Sequence, residues 1–211
     1  MDLRAARSLD LRTGWEFDDP GTQSKAVGLL QRDKPWLTIT SPPCDPMSPL
    51  TIGLNYPKQD PEQVRQNVAW GIKHVKFAIN ICWIQKKNGR YFLHEHPLPS
   101  ASWDLPEVVG LANESDVIFI HSDMCRFKMN VTGEGLNKKP EGLLTNSPEI
   151  AEEVDKRCEC NENDTLPHVP LIGGVALQSG VFVKDFQKAI QRGLNRQLVD
   201  MATGMTELDA F

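Results

Sequence analysis

This sequence predicts an α/β fold built on a mostly parallel sheet with helices on both faces. Three observations point to it. Apolar runs at Trp36-Leu37-Thr38-Ile39, Arg90-Tyr91-Phe92-Leu93-His94 and Asp116-Val117-Ile118-Phe119-Ile120-His121 have the length and composition of buried strands. Amphipathic segments lie between them, so helix and strand alternate as crossover connections between parallel strands require. Pro, Gly and Asn-Gly punctuate the junctions, which separates the runs into distinct elements.

In chain order, Leu9-Asp10-Leu11 and Gly14-Trp15-Glu16-Phe17 are expected to form a short strand and turn. Asp19 caps a helix that Pro20 starts, with Ala26, Leu29 and Leu30 at helical spacing as far as Arg32. That helix delivers the chain to the Trp36 strand. Pro42 and Pro43 cannot donate to a ladder, so this strand must stop at Ser41. After a Pro-rich loop with Gly53, Asp60 and Pro61 open the longest helix. Its residues Val64, Val68, Ile72, Val75, Ile79 and Cys82 recur at steps of three and four, and Asn88-Gly89 ends it. The strand over 90–94 is expected to end at Glu95-His96-Pro97. A short helix over 104–112 and a third strand over 116–121 follow. Leu143-Leu144-Thr145 reads as a further strand, and Ser147-Pro148-Glu149 opens a helix to Arg157. Residues 158–170 read as loop. A last helix over 183–198 carries Phe186, Ile190 and Leu194 on one face, and the final dozen residues carry no strong pattern.

With 211 residues, 40% hydrophobic and 24% charged, the composition suits one globular domain over 1–211. No run of 18 apolar residues exists, and Met1-Asp2-Leu3-Arg4-Ala5-Ala6-Arg7 lacks the apolar core of a secretory signal. An intracellular chain, nuclear or cytoplasmic, with no membrane partner is the expectation. Five cysteines make an odd number and argue against a disulfide framework, so the thiols are expected reduced. The sequons at Asn113, Asn130 and Asn163 then carry no weight. A net charge of -5 excludes a protein coated in positive charge for nucleic acid, though a local basic groove is still allowed.

The chemistry gathers at two strand ends. Ser41-Pro42-Pro43-Cys44 and His94-Glu95-His96-Pro97 lie one helix apart, so a right-handed crossover makes their strands neighbours or near neighbours. In open α/β sheets the ligand crevice lies beyond the carboxyl ends of the strands. A thiol and a carboxylate would share it. Here the chain resembles the cytosine-5 DNA methyltransferases: their Pro-Pro-Cys-Gln-x-Phe-Ser motif appears as Pro42-Pro43-Cys44-Asp45-Pro46-Met47-Ser48, and their Glu-Asn-Val motif as Glu95-His96-Pro97. Together with Gly14-Trp15-Glu16-Phe17, Lys139-Pro140 and Leu144-Thr145-Asn146-Ser147, these motifs look like a divergent methyltransferase-like domain of retrotransposon-type polyproteins.

The resemblance implies a partial Rossmann-like, S-adenosylmethionine-dependent methyltransferase fold. It also implies that the Cys44 thiolate attacks C6 of a cytosine flipped out of DNA while Glu95 hydrogen-bonds N3 and the exocyclic amine. A thiolate suits that attack, a protonated carboxyl beside N3 suits the developing charge, and flipping is needed because the ring is unreachable in the stack. Pro42, Pro43, Ser48, His96 and Arg126 would line the substrate side, with Arg126 standing in for the family's Gln-x-Arg-x-Arg motif. Asp10, Glu16 and Ser41 are the candidates for the cofactor side. The family's Phe-x-Gly-x-Gly loop has no counterpart, so weak or absent S-adenosylmethionine binding is expected. Only a short tail follows Asn146, so no separate target-recognition domain is expected.

Two other function classes stay open. One is an inactive nucleic-acid-binding or scaffold domain. The other is a cysteine hydrolase with Cys44 as nucleophile and His94, His96 or His121 as base. Cys158-x-Cys160 with His168 and Cys125 has the residue types for zinc but not the usual spacing, so no metal site is assigned. Gly173-Gly174 lacks the residues of a phosphate loop and reads as a tight turn. Lys86-Lys87 and Lys138-Lys139 read as solvated charges.

Overall fold

The structure, a computed structural model, describes residues 7–159, 168–171 and 178–208, with side chains as far as 203. Cys160, the Asn163 sequon and Gly173-Gly174 lie outside the described residues. The chain divides into two compact units between Val117 and Ile118.

The first unit opens with a correction. Instead of a strand, Leu11–Thr13 form a single 3-10 turn, because the Asp10 side chain accepts from the Arg12 backbone N–H and the Thr13 hydroxyl accepts from the Asp10 backbone N–H. Gly14, at φ 83°, closes that turn in the left-handed region. Helix α1 (Pro20–Asp33) is capped by Asp19, whose carboxylate accepts from the Thr22 N–H, and it ends at Lys34 in the left-handed region. Strand β1 (Leu37–Thr40) follows, then short turns, then helix α2 (Pro61–Lys87), capped by the Asp60 carboxylate on two backbone N–H groups. Of the periodic apolar residues of α2, Val75, Ile79 and Cys82 are in the core with Ala78, whereas Val64, Val68 and Ile72 nearer its start are half-buried. Each fully buried aliphatic side chain there contributes about 1.5–3 kcal/mol relative to exposure.

Strand β2 (Tyr91–Pro97) pairs parallel with β1, Leu37 beside Tyr91 and Thr40 beside His94. It does not stop before Glu95, as the sequence suggested. Phe92 through His96 are all buried, so polar residues here mark a strand buried on both faces, not its end. Helix α3 (Pro106–Ala112) completes the unit and is tied to α2 by Lys76 and Glu107 at 2.7 Å.

The second unit corrects the expectation of parallel pairing. Strand β3 (Ile118–Asp123) pairs antiparallel with β4 (Pro140–Thr145), Ile118 opposite Thr145 and Asp123 opposite Pro140. Parallel neighbours need a crossover, usually helical. The link here is a single turn at Met124–Phe127 and a loop bent by Lys128 at φ 62° and Gly133 at φ 82°. Helix α4 (Pro148–Val154) is shorter than expected, because Lys156 is drawn back to β3 by the Asp123 N–H. Helix α5 (Lys184–Leu208) runs ten residues beyond the expected end at Leu198 and packs on α4, with Arg192 and Glu153 at 2.8 Å. No described helix is long and apolar enough to cross a membrane.

Candidate functional site

The carboxyl ends of β1 and β2 bring Ser41 and Glu95 together. With Thr40, the last residue of β1, beside His94, Ser41 just past the strand comes beside Glu95, and its hydroxyl donates to the Glu95 carboxylate. Glu95 is only 3% exposed, so the acid lies at the buried root of the Pro-Pro-Cys turn. Pro42 is half-buried and Pro43 exposed, and Cys44 follows as a half-buried thiol.

The turn carrying Cys44 is braced from beyond. The Cys44 carbonyl accepts from the Met47 N–H at 3.1 Å, closing the 3-10 turn Asp45–Met47. Ser48 donates to the Thr51 hydroxyl at 3.0 Å, and Thr51 donates to the Asp45 carboxylate at 2.9 Å. Tyr56 Oη donates to the Pro46 carbonyl at 2.8 Å. Below, Gly71 of α2 lies so near that a Cβ there would be 2.8 Å from Pro46 Cβ. Ser48 is therefore a brace of the loop rather than a group aimed outward. Sequence reasoning missed Ser41 as the partner of Glu95 and Thr51 as the relay between Ser48 and Asp45. The three-residue Ser48 to Thr51 spacing was the available signal.

The histidines lie on the other face of β2. His94 and His96 stack with ring centroids 6.3 Å apart, and Trp103 meets both edge-on. Thr40 Oγ1 is 2.9 Å from His94 Nδ1 and 3.5 Å from Cys82 Sγ, which identifies this as the face that α2 covers. His96 Nδ1 is 2.6 Å from the Ser102 hydroxyl. Strand alternation thus parts His96 from Glu95 despite their adjacency in sequence. Burial is the main reason the His94 imidazole is pushed down to about 3, with the neighbouring His96 adding to it. Burial likewise raises the Cys82 thiol to about 12.

The three candidate cofactor residues are each placed by local contacts or left exposed. The Asp10 carboxylate is held below its usual range by Arg12, which donates both its backbone N–H and its Nε to it. Ser41 is engaged with Glu95, and Glu16 is exposed. Arg126, in the second unit, donates to the Arg157 carbonyl at 2.8 Å and pairs with Glu159 at 2.9 Å. His121, also in the second unit, lies against the Arg157 guanidinium and 3.4 Å from Asp123.

One member of each lysine pair meets acids. Lys86 pairs with Asp116 at 2.8 Å and Glu114 at 3.1 Å, and Lys139 pairs with Glu141. A groove of about 450 Å³ on α1 and α2 includes Lys73 and Lys76, but Asp18 and Glu107 neutralise these, and none of its lining residues belongs to the Cys44 and Glu95 set. Comparison with protein-family models, with curated proteins and with solved structures finds no match to this chain.

Proposed function

We propose that this chain is a divergent relative of the cytosine-5 DNA methyltransferases, with a partial Rossmann-like fold, that retains the base-addressing half of the site. The single observation that supports this most is the Ser41 hydroxyl on the Glu95 carboxylate. It joins the root of the Pro-Pro-Cys turn to the buried acid on neighbouring parallel strands. In this reading the Cys44 thiolate adds to C6 of an unstacked cytosine, forming a C–S bond while the ring gains electron density toward N3 and C5. Glu95, in its protonated form, donates a hydrogen bond to N3 and accepts one from the exocyclic amine. Reversal expels the thiolate and restores the ring. In a complete enzyme S-adenosylmethionine supplies the methyl group at C5.

The test is DNA carrying 2-pyrimidinone in place of cytosine at a mismatched or single-stranded position, incubated without cofactor and examined for a covalent complex by peptide mapping. An adduct on Cys44 that disappears in Cys44→Ser supports the reading. Turnover of thioester reporters by Cys44 with no adduct to DNA would favour the hydrolase instead. Binding of DNA that survives Cys44→Ser with no adduct would favour an inactive nucleic-acid-binding or scaffold domain, for which a steep salt dependence is expected.

A further inference from the structure

We propose that the second unit binds a zinc ion through Cys125 Sγ, Cys158 Sγ and His168 Nε2. Among the described residues, the ligand atoms of these three side chains all lie within 4.8 Å of one another. Cys158 Sγ and His168 Nε2 are 3.6 Å apart. A tetrahedral zinc with Zn–S of about 2.3 Å and Zn–N of about 2.0–2.1 Å separates sulfur from nitrogen by about 3.6 Å. Two thiolates and an imidazole are a soft donor set, suited to zinc and unsuited to magnesium or calcium.

Each ligand is delivered by a different, hydrogen-bonded segment. Cys125 is buried in the turn Met124–Phe127 that follows β3. The chain bearing Cys158 is fixed beside that turn by three hydrogen bonds. The Asp123 N–H donates to the Lys156 carbonyl at 2.9 Å, the Cys158 N–H donates to Asp123 Oδ2 at 2.7 Å, and Arg126 donates to the Arg157 carbonyl at 2.8 Å. His168 is held through its neighbour. The Val169 N–H donates to the Leu136 carbonyl at 2.8 Å, and the buried Asn137 side chain donates to the Val169 carbonyl at 2.8 Å.

The pattern is hidden in the sequence because no two of these ligands share a short spacing. On binding, each thiol releases its proton to solvent as its sulfur–zinc bond forms, and nothing is oxidised or reduced. The fourth position falls to water or to another donor. Held in this way, the ion would cross-link the turn after β3, the segment after α4 and the segment at His168, which is the work of a structural zinc.

The experiment uses the full chain, purified reduced and without chelator. Zinc is measured by plasma mass spectrometry, and the metal-stripped chain is then titrated with cobalt(II) in an absorption spectrometer. One zinc per chain is expected, with a thiolate-to-cobalt charge-transfer band and the visible bands of a tetrahedral site. Cys125→Ser, Cys158→Ser and His168→Asn should each weaken cobalt binding at least tenfold, and Cys44→Ser should leave it unchanged. Because a ligand variant that fails to fold also loses metal, the unmodified chain decides first. No stoichiometric zinc and no charge-transfer band in the unmodified chain overturns the proposal, as does a band that persists in the double variant Cys125→Ser/Cys158→Ser.

Discussion

The Ser41 hydroxyl donates to the Glu95 carboxylate across 54 residues of sequence, and this contact fixes where the Pro-Pro-Cys turn leaves β1. Ser41→Ala should lower unfolding stability by about 0.5–1.5 kcal/mol, the usual net contribution of one hydrogen bond, because Ser41 itself is exposed. Urea denaturation with an unchanged m-value would show this. A change under 0.5 kcal/mol would mean that the contact is incidental.

Thiol reactivity should separate the two cysteines of the first unit. Cys44 is half-buried on the turn, whereas Cys82 is fully buried with its thiol raised to about 12. Iodoacetamide at neutral pH should label Cys44 in the native chain and reach Cys82 only on unfolding. Glu95→Gln should leave Cys44 labelling intact. Mass mapping over time reads the order.

A pH dependence follows from His94. Its folded value of about 3 lies below the ordinary 6.5, so between these the unfolded state binds the extra proton. Stability is therefore fully present above about 6.5 and falls as pH drops toward about 3, at up to about 1.4 kcal/mol per pH unit from this group. His94→Asn should flatten that slope relative to the parent chain. Parallel slopes in the two chains would contradict the buried neutral imidazole.

Two glycines should respond oppositely to alanine. At Gly71 an added Cβ would meet Pro46 Cβ at 2.8 Å, so Gly71→Ala should destabilise by about 1–3 kcal/mol and shift the turn that carries Cys44. At Gly110 in α3 nothing lies within 4 Å, so Gly110→Ala should stabilise by up to about 1 kcal/mol through helix propensity. Thermal melts of both variants check the pair.

Helix α2 was legible from the sequence: the Asp60-Pro61 start and Asn88-Gly89 stop bracket Pro61–Lys87. Local capping chemistry decides such ends. Strand β2 was half legible, since Glu95 and His96 read as a polar stop when burial on both faces leaves no alternation to follow. The direction of β4 was not legible, because it depends on the backbone of Lys128 and Gly133 in a loop without a pattern. The face shared by Ser41 and Glu95, opposite His94 and His96, comes from the register of β1 on β2, which no local signal encodes. The grouping of Cys125, Cys158 and His168 is likewise a product of tertiary pairing.

The central claim is that Cys44 adds to C6 of a cytosine-like ring with help from Glu95, and an oligonucleotide carrying 2-pyrimidinone in place of cytosine tests it without any cofactor. That ring lacks the electron-donating amine and accepts a thiolate at C6 more readily. The expected result is a covalent complex mapped to Cys44, absent in Cys44→Ser and formed about 10²–10⁴ times more slowly in Glu95→Gln, the range for general acid–base groups. No complex with the unmodified chain, or one mapped to Cys82, Cys125, Cys158 or Cys160, would contradict the claim.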